Sequence, residues 1–358
     1  MNKNYYFLIS FFFFILSCNK SSTPPSTSTL EDFSFIQAAD VSLIPEIRTY
    51  SFVAKNSAGI NEDMLYTLRT AGVNTFRLKL WVNPNNIHSG FAEVKNFSKE
   101  IKNTGAKVWI TVHYSDTWAD PGHQSKPSAW SNLTVLQLKD SVYQYTKRII
   151  TEINPDYIQI GNEINNGFLW PEGSYTQLSN LKLLLSEGIR AVRENSSTTK
   201  IILHYAGHQF AEDFFSNMNN LDYDIIGLSY YPKWHGKDLD SLNSSILNIG
   251  LSLNKKVIIA ETSYPFTLTW NDWTNNIIGS ENEIIPAYPA TELGQKNFLH
   301  DIKSMMKNNA FGLGFCYWGG EWVAFKGNTS TNCSSWENQA FWDFTGKALP
   351  VMEVYSKF

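Results

Sequence analysis

The stretch Tyr157-Ile158-Gln159-Ile160-Gly161-Asn162-Glu163 decides the predicted fold, because a short apolar strand leads directly into polar residues. A short apolar run of this kind is typical of a strand buried in a parallel sheet. Its polar end is equally informative, since the active sites of parallel barrels lie where the strands end. The rest of the chain repeats this pattern at regular intervals.

Eight such strands alternate with amphipathic helical stretches. The predicted strands cover residues 35–40, 75–81, 107–113, 157–160, 200–204, 225–229, 256–260 and 312–317. The predicted helices include residues 61–71, 135–153, 178–194 and 292–308. This alternation predicts an α/β fold, a closed (β/α)8 TIM barrel, as a single catalytic domain over residues 33–358. A doubly wound open sheet is the alternative, but no glycine-rich phosphate loop follows the first strand.

The overall composition excludes one class of function and favours another. The formal net charge of the 358-residue chain is −4, so no basic excess exists to neutralise the phosphates of a nucleic acid. Aromatic residues make up 15% of the chain. Flat side chains in this number, on a weakly charged protein, suit stacking on neutral ligands such as sugars, although they also fill cores.

The N-terminus predicts export and lipid attachment. The apolar run at residues 5–16 is too short to span a bilayer as a stable helix. It ends in Ile15-Leu16-Ser17-Cys18, which is similar to a bacterial lipobox. We therefore expect a signal peptide at residues 1–17 and an acylated Cys18 that opens a flexible Ser/Thr/Pro tether at residues 18–32, on an outer-membrane or cell-surface lipoprotein. A plain secretory signal with an incidental cysteine is the alternative.

Polar or aromatic residues recur at almost every predicted strand end. They are Asp40, Arg77, Trp81, His113–Asp116, Gly161–Glu163, His204, Ser229–Tyr231, Glu261 and Trp318. Glu163 and Glu261 each leave a buried strand, where a carboxylate is costly unless it is used or paired. A structural ion pair with Arg77 would explain one of them, whereas two at opposite strand ends favour paired-carboxylate catalysis.

The sequence contains no CxxC or HExxH motif that would suggest a transition-metal site. Cys316 and Cys333 could form a disulfide in an exported protein, or Cys316 could be a small buried residue in its apolar run. The residue pattern leaves both alternatives open.

Several stretches together resemble glycoside hydrolase family 53, the endo-β-1,4-galactanases, within the clan of retaining barrel glycosidases. The stretches that carry the resemblance are residues 77–84 (RLKLWVNP), 113–124 (HYSDTWADPGHQ), 159–167 (QIGNEINNG), 227–236 (GLSYYPKWHG) and 260–265 (AETSYP). The resemblance extends over nearly the whole predicted domain.

The resemblance implies roles for individual residues. Glu163 would be the general acid/base and Glu261 the nucleophile, with the carboxyl groups about 5–5.5 Å apart if the enzyme is retaining. Asn162 would bind the 2-hydroxyl of the sugar. Arg77 and Tyr230 would keep Glu261 ionised and oriented. The same pocket would be lined by His113, His204 and Trp318.

Other residues near the strand ends carry weaker predictions. Trp118 and Trp234, like Trp81, could stack on sugars or simply pack. Asp116 and Asp120 could contact the substrate, although bracing of the loop is favoured. After the eighth strand, Gly319 and Gly320 replace a bulkier pair expected from the family, which predicts a more open or mobile subsite.

These observations predict an exported, retaining endo-β-1,4-galactanase that acts on galactan or on β-1,4-galactooligosaccharides. The alternatives are a glycosidase of the same clan with another β-glycan as substrate, or a non-catalytic glycan-binding lipoprotein. No cofactor is expected, and a structural calcium ion in the region of residues 270–276 is not favoured because only one carboxylate lies there. We expect a monomer that touches the membrane only through its lipid anchor.

Overall fold

The computed structural model describes Met1 and residues 34–356. Eight parallel strands close into a barrel in which each strand pairs with its neighbours in sequence and β1 pairs with β8. The strands are Ile36–Asp40 (β1), Thr75–Leu80 (β2), Lys107–Val112 (β3), Tyr157–Ile160 (β4), Lys200–Ala206 (β5), Ile225–Ser229 (β6), Lys256–Thr262 (β7) and Gly312–Tyr317 (β8). The predicted TIM barrel is therefore confirmed.

Helices connect the strands along the described part of the chain. They are Ile44–Ile47 (α1), Met64–Ala71 (α2), Phe91–Asn103 (α3), Val135–Glu152 (α4), Leu178–Asn195 (α5), Ala211–Asn217 (α6), Pro232–His235 (α7), Leu239–Leu253 (α8) and Glu292–Asn308 (α9). Short 3-10 helices lie at Ser128–Trp130, Ile164–Asn166, Tyr175–Gln177, Glu281–Glu283, Glu337–Gln339 and Pro350–Tyr355.

Local sequence signals explain where the helices begin and end. Asp63 caps α2 by accepting a hydrogen bond from the backbone of Leu65, so the helix starts at Met64 and not at residue 61 as predicted. Thr134 and Gln137 form a reciprocal capping box at the start of α4. These caps set the helix boundaries to within a few residues of the sequence prediction.

Two apolar layers hold the barrel together. The inside of the barrel is filled by residues from alternate positions of the strands, including Trp109, Ile202, Ile258 and Cys316. The opposite face of each strand packs against the surrounding helices in a much larger cluster. The strands are therefore buried on both faces, which is why they read as nearly continuous apolar runs.

Some predictions concern residues outside the described part of the chain. Residues 2–17 of the predicted signal peptide, Cys18 and the whole tether at residues 18–32 lie outside the described residues. Among the described residues, no helix has both the length and the apolar character needed to cross a bilayer. Cys316 and Cys333 are both free thiols, so the disulfide alternative is not realised.

Candidate active site

A cavity of about 560 Å³ opens at the carboxyl ends of the strands. Its walls include eight of the residues predicted from sequence: Arg77, His113, Trp118, Asn162, Glu163, Trp234, Glu261 and Trp318. Lys79, Ala119, Asp120, Pro121, Ala206, Tyr231, His235 and Trp336 complete the lining. The cavity thus combines acids, bases and a large aromatic surface.

The two carboxylates enter the cavity from β4 and β7. Glu163 has a left-handed backbone with φ of 47° and follows Gly161, whose φ is 80°. An added Cβ at Gly161 would lie 2.5 Å from the Ile164 side chain, so the turn requires glycine. Glu261 is the sixth residue of β7 and is only 6% exposed. The fold places one acid on a strained turn and the other on a rigid strand.

Arg77 and Tyr231 hold the carboxylate of Glu261. Nη2 of Arg77 donates to Oε1 of Glu261 at 2.7 Å, and the hydroxyl of Tyr231 donates to Oε2 at 2.9 Å. Arg77 is itself fixed by a salt bridge of 2.9 Å from Nη1 to Asp40. Both oxygens of Glu261 therefore accept strong hydrogen bonds, which favours the ionised form.

The two acids have different proton affinities. Burial, and then the negative charge of Glu261, raise the pKa of Glu163 to about 8. Burial also raises the pKa of Glu261, but the charge of Arg77 and the Tyr231 hydroxyl oppose that rise. The pair consequently holds its shared proton on Glu163 and its charge on Glu261. Desolvation contributes more to the raised pKa of Glu163 than the neighbouring charge does.

The carboxylate oxygens of Glu163 and Glu261 lie within 4.8 Å of each other, with a ring nitrogen of His204 at similar range. This spacing fits an attack by one carboxylate on a bond that the other protonates, and it leaves little room for an intervening water. The same three groups could by distance hold a metal ion, but both ring nitrogens of His204 are occupied by hydrogen bonds. We therefore assign them to proton chemistry.

Asn162 is positioned from three sides. Its Oδ1 accepts from Arg77 at 3.0 Å and from Gln159 at 2.9 Å, and its Nδ2 donates to the carbonyl of Ala119 at 2.8 Å. One hydrogen of Nδ2 remains beyond that bond, and the side chain lines the cavity. The geometry is compatible with a bond to a sugar hydroxyl.

His113 contributes a neutral ring to the cavity wall. Its Nδ1 accepts the backbone N–H of Ala119 at 2.9 Å, so the ring hydrogen lies on Nε2. Burial and the charges of Arg77 and Lys79 lower its pKa well below the ordinary value. His113 is therefore a neutral hydrogen-bond donor and not a cation.

Indole rings form a continuous wall beside the acids. Trp318 contacts Trp118, Trp322 and Trp336 with ring centroids 5.9, 5.1 and 4.6 Å apart. Trp234 lies 6.3 Å from Trp336 and is 51% exposed at the rim. A row of indole rings that begins in the cavity and ends in solvent is suited to stack on successive rings of a sugar chain.

Side-chain direction corrects the prediction for Tyr230 and bears on the one for Asp116. The hydroxyl of Tyr230 donates to the carbonyl of Gly236 at 2.8 Å, and its ring stacks near Phe298, away from Glu261. Asp116 accepts from the backbone of Asn83 and from Ser128, so it braces two loops and does not line the cavity. The hydrogen bonds of Asp116 fit the favoured prediction of a loop brace, and its position gives no support to the alternative of a substrate contact.

His204 lies behind the cavity wall and does not line it. The residue is fully buried and bonds to Gln159 and Ser229. The prediction that His204 lines the pocket is therefore wrong. Its ring instead contacts Asn162 and Glu163, which do line the cavity. Asp120, in contrast, both lines the cavity and accepts the N–H of Gly122 at 2.7 Å.

Sequence reasoning gave no role to Tyr231, Lys79 or Trp336, although Tyr231 was among the residues noted at the strand ends. Tyr231 and Lys79 could have been found from the two-residue period, since each lies two positions after an inward-facing residue, Ser229 or Arg77. Burial lowers the pKa of Lys79 to about 8, and its ammonium lies 4.0 Å from the Trp118 ring centre. Trp336 lies in an irregular loop, where no regular alternation in the sequence indicates which way a side chain points.

The two glycines after β8 do not open the site. A Cβ at Gly320 would lie 2.5 Å from the ring of Phe341, and one at Gly319 would meet Trp336 at 3.7 Å. Both glycines are buried. The expectation of a more open subsite is wrong, because Phe341 occupies the space that a larger residue would need.

The region proposed for calcium contains few suitable donors. Glu337 accepts the backbone N–H groups of Asn271 and Asp272, at 2.5 and 3.2 Å. Among the described residues, Asp272 Oδ2, Asn276 Oδ1 and Asn338 Oδ1 are buried without a hydrogen-bond partner. Calcium takes six to eight oxygens, and only one of these three belongs to a carboxylate.

The chain is similar to known proteins over most of its length. The model of glycosyl hydrolase family 53 matches residues 36–355. An arabinogalactan endo-β-1,4-galactanase of Cellvibrio japonicus is 32% identical, and the match covers 91% of this chain and 92% of the relative. An endo-β-1,4-galactanase of Bacillus subtilis is 31% identical, and the match covers 90% of this chain and 85% of that relative. The solved GH53 catalytic domain of Ignisphaera aggregans superposes with a TM-score of 0.85 at 34% identity, covering 90% of this chain and 95% of that domain. The chain belongs to glycosyl hydrolase family 53.

Proposed function

We propose that this protein is an exported endo-β-1,4-galactanase that hydrolyses galactan and β-1,4-galactooligosaccharides with retention of configuration. The observation that carries the proposal is the pair Glu163 and Glu261, whose oxygens lie within 4.8 Å and whose surroundings separate their proton affinities. The relatives that are named galactanases supply the substrate class.

The first half of the reaction is a displacement at the anomeric carbon. Glu261 attacks this carbon while Glu163 gives its proton to the glycosidic oxygen, and the bond to the leaving sugar breaks. Arg77 and Tyr231 keep the attacking carboxylate ionised and oriented. The product of this step is a glycosyl ester on Glu261.

The second half reverses the roles of the acids. Formation of the ester removes the charge of Glu261, so the pKa of Glu163 falls and its carboxylate can accept a proton from water. The water attacks the anomeric carbon from the face that the first sugar left, and the bond from this carbon to Glu261 breaks. Glu261 leaves as a carboxylate, and the original configuration is restored. Asn162 and His113 offer N–H donors to the sugar hydroxyls during both steps.

The test is incubation of the purified protein with β-1,4-galactan, arabinan, xylan and mannan, with product sizes followed over time. We expect short oligosaccharides from galactan, and the Glu163→Gln variant should be slower on galactan by about 10²–10⁴-fold. Cleavage of another glycan would support the same-clan alternative. Binding of galactan without any cleavage would support the non-catalytic alternative.

Lipid attachment at Cys18 is part of the proposal. The Ile15-Leu16-Ser17-Cys18 stretch and the following Ser/Thr/Pro segment support it. Labelled fatty acid supplied to producing cells should enter the wild-type protein and not the Cys18→Ala variant. Equal labelling of the two proteins would contradict acylation at this residue.

A further inference from the structure

A chain of hydrogen bonds runs from the barrel interior to the acid/base Glu163. Nε2 of His204 lies 2.9 Å from Oγ of Ser229, and the Ser229 hydroxyl lies 2.5 Å from Oε1 of Glu163. His204 comes from β5, and Ser229 is the last residue of β6. Both residues are completely buried.

The surroundings of Nδ1 fix the tautomer of His204. The backbone N–H of Glu163 donates to Nδ1 at 3.3 Å, and the amide nitrogen of Gln159, which is a donor only, lies 2.9 Å from it. The remaining neighbour, Oδ1 of Asn162 at 3.2 Å, already accepts from Arg77 and Gln159. Nδ1 is therefore an acceptor, and the ring hydrogen lies on Nε2.

The orientation of Gln159 supports this assignment. Its Oε1 faces two donors, the Thr111 hydroxyl at 3.3 Å and Nη2 of Arg77 at 3.5 Å, so its amide nitrogen must face His204. Burial and the nearby charge of Arg77 also lower the pKa of His204 well below the ordinary value, which keeps the ring neutral. The ring consequently has one hydrogen and one direction in which to donate it.

The direction of the chain then follows. His204 donates from Nε2 to Ser229, so the Ser229 hydroxyl turns its own hydrogen toward Oε1 of Glu163. A carboxyl oxygen that accepts a short hydrogen bond binds the acidic proton less tightly than the other oxygen does. Resting on the proposed function, we infer that His204 and Ser229 are positioning residues that confine the acidic proton of Glu163 to Oε2, the oxygen that protonates the leaving group.

The inference predicts a loss that depends on the leaving group. Without the Ser229 hydroxyl, the proton is shared between both oxygens and the carboxyl group can rotate, so protonation of a sugar leaving group becomes slower. An activated aryl leaving group needs no proton. The formation of the glycosyl ester from an aryl β-galactobioside with a highly acidic phenol should therefore be almost unaffected.

The same bond also affects pH dependence. A hydrogen bond from Ser229 favours the ionised form of Glu163, so its removal should raise the pKa of this acid by about one unit. The groups that face Glu163 from the other strands and loops are Glu261, Arg77, Asp120, His204 and Tyr231. All of them remain in place in the variant.

The experiment compares Ser229→Ala and Ser263→Ala with the wild type. Ser263 is an equally buried hydroxyl that follows β7 and donates to Gln339, so it controls for the loss of a buried hydroxyl near the strand ends. For Ser229→Ala we expect kcat/KM on galactan about tenfold lower, kcat/KM on the aryl substrate within about twofold, and an alkaline limb displaced upward by about one pH unit. Ser229→Thr should restore galactan cleavage in part.

Equal losses on galactan and on the aryl substrate, or an unmoved alkaline limb, would overturn the inference. Wild-type protein that cleaves neither substrate would instead refute the proposed function. If Ser229→Ala does not fold, the ¹⁵N resonances of the histidine rings in the wild type decide the matter. A hydrogen on Nδ1 of His204 would contradict the relay, and a hydrogen on Nε2 from pH 5 to 9 would support it.

Discussion

Tyr230 and Tyr231 are neighbours in sequence, but their hydroxyl groups lie on opposite sides of the strand end and have different partners. Side chains alternate between the two faces of a strand, so Ser229 and Tyr231 face the inside of the barrel while Tyr230 faces the helices. Tyr231 bonds to Glu261, and Tyr230 bonds to the carbonyl of Gly236. The resemblance to the family predicted that Tyr230 orients Glu261, whereas the hydroxyl that bonds to Glu261 belongs to the next residue, Tyr231.

This pair provides a matched test of the Glu261 environment. Tyr231→Phe removes a hydrogen bond to a charged group, and we expect kcat on galactan to fall about 10–100-fold. Tyr230→Phe removes a bond to a neutral carbonyl, so kcat should stay within about twofold and unfolding should become easier by about 1 kcal/mol. Steady-state kinetics and urea denaturation measure both effects. A larger kcat loss for Tyr230→Phe would contradict the geometry.

The proton on Glu163 sets the alkaline side of the activity profile. With a pKa of about 8, Glu163 is protonated at neutral pH and loses its proton as the pH rises through that value. Because glycosyl transfer to Glu261 requires the protonated acid, kcat/KM on galactan should be about tenfold lower at pH 9 than at pH 7. A profile that already falls between pH 4 and 6 would show that Glu163 is ionised in the free enzyme.

At the scale of elements, register irregularities lie beside the active site. The pairing of β6 with β7 shifts between Leu228 and Ser229, which brings Ser229 opposite Glu261. The pairing of β7 with β8 shifts between Ile259 and Thr262. Such irregularities redirect side chains, and here they lie beside Glu261.

The loop after β8 is stabilised by close packing of Gly320 against the ring of Phe341. Gly320→Ala would place a methyl group 2.5 Å from the Phe341 ring, so we expect the free energy of unfolding to fall by about 1–3 kcal/mol. Gly279→Ala is a suitable control, because its nearest neighbour would be 3.9 Å away. Chemical denaturation of both variants provides the comparison. Equal stability of the two would show that the loop can accommodate the methyl group.

The strands and the two acids were predictable because their signals are local. Apolar runs and their polar ends lie in continuous sequence, and the strand boundaries differ from the prediction by at most two residues. The cavity wall formed by Trp336 was not predictable, since it depends on how an irregular loop packs against Trp318 and Trp234. The burial of His204 behind the wall likewise depends on strand register, which the sequence pattern does not give.

At the scale of the whole molecule, direct hydrogen bonds join the loops after β7 and β8. The backbone of Trp273 donates to Ser330 at 2.9 Å, and that of Ile277 donates to Ser335 at 2.8 Å. The backbone of Phe266 donates to Asn338 at 2.9 Å. These bonds connect the two loops directly.

We therefore expect removal of calcium to leave the protein unchanged. Treatment with EDTA should shift neither the melting temperature nor the rate of galactan cleavage. Scanning calorimetry before and after chelation measures the first quantity. A lowered melting temperature that calcium restores would contradict this expectation and would point to the unpartnered oxygens of Asp272, Asn276 and Asn338 as ligands.

In the proposed reaction, Glu261 attacks the sugar directly while Glu163 acts as acid and then as base. The most direct measurement is the anomeric configuration of the first reducing ends released from galactan, followed by ¹H NMR before mutarotation. We predict β-configured products first, with the α-anomer appearing only later. Initial release of the α-anomer would contradict it, because inversion requires a water between the two carboxylates.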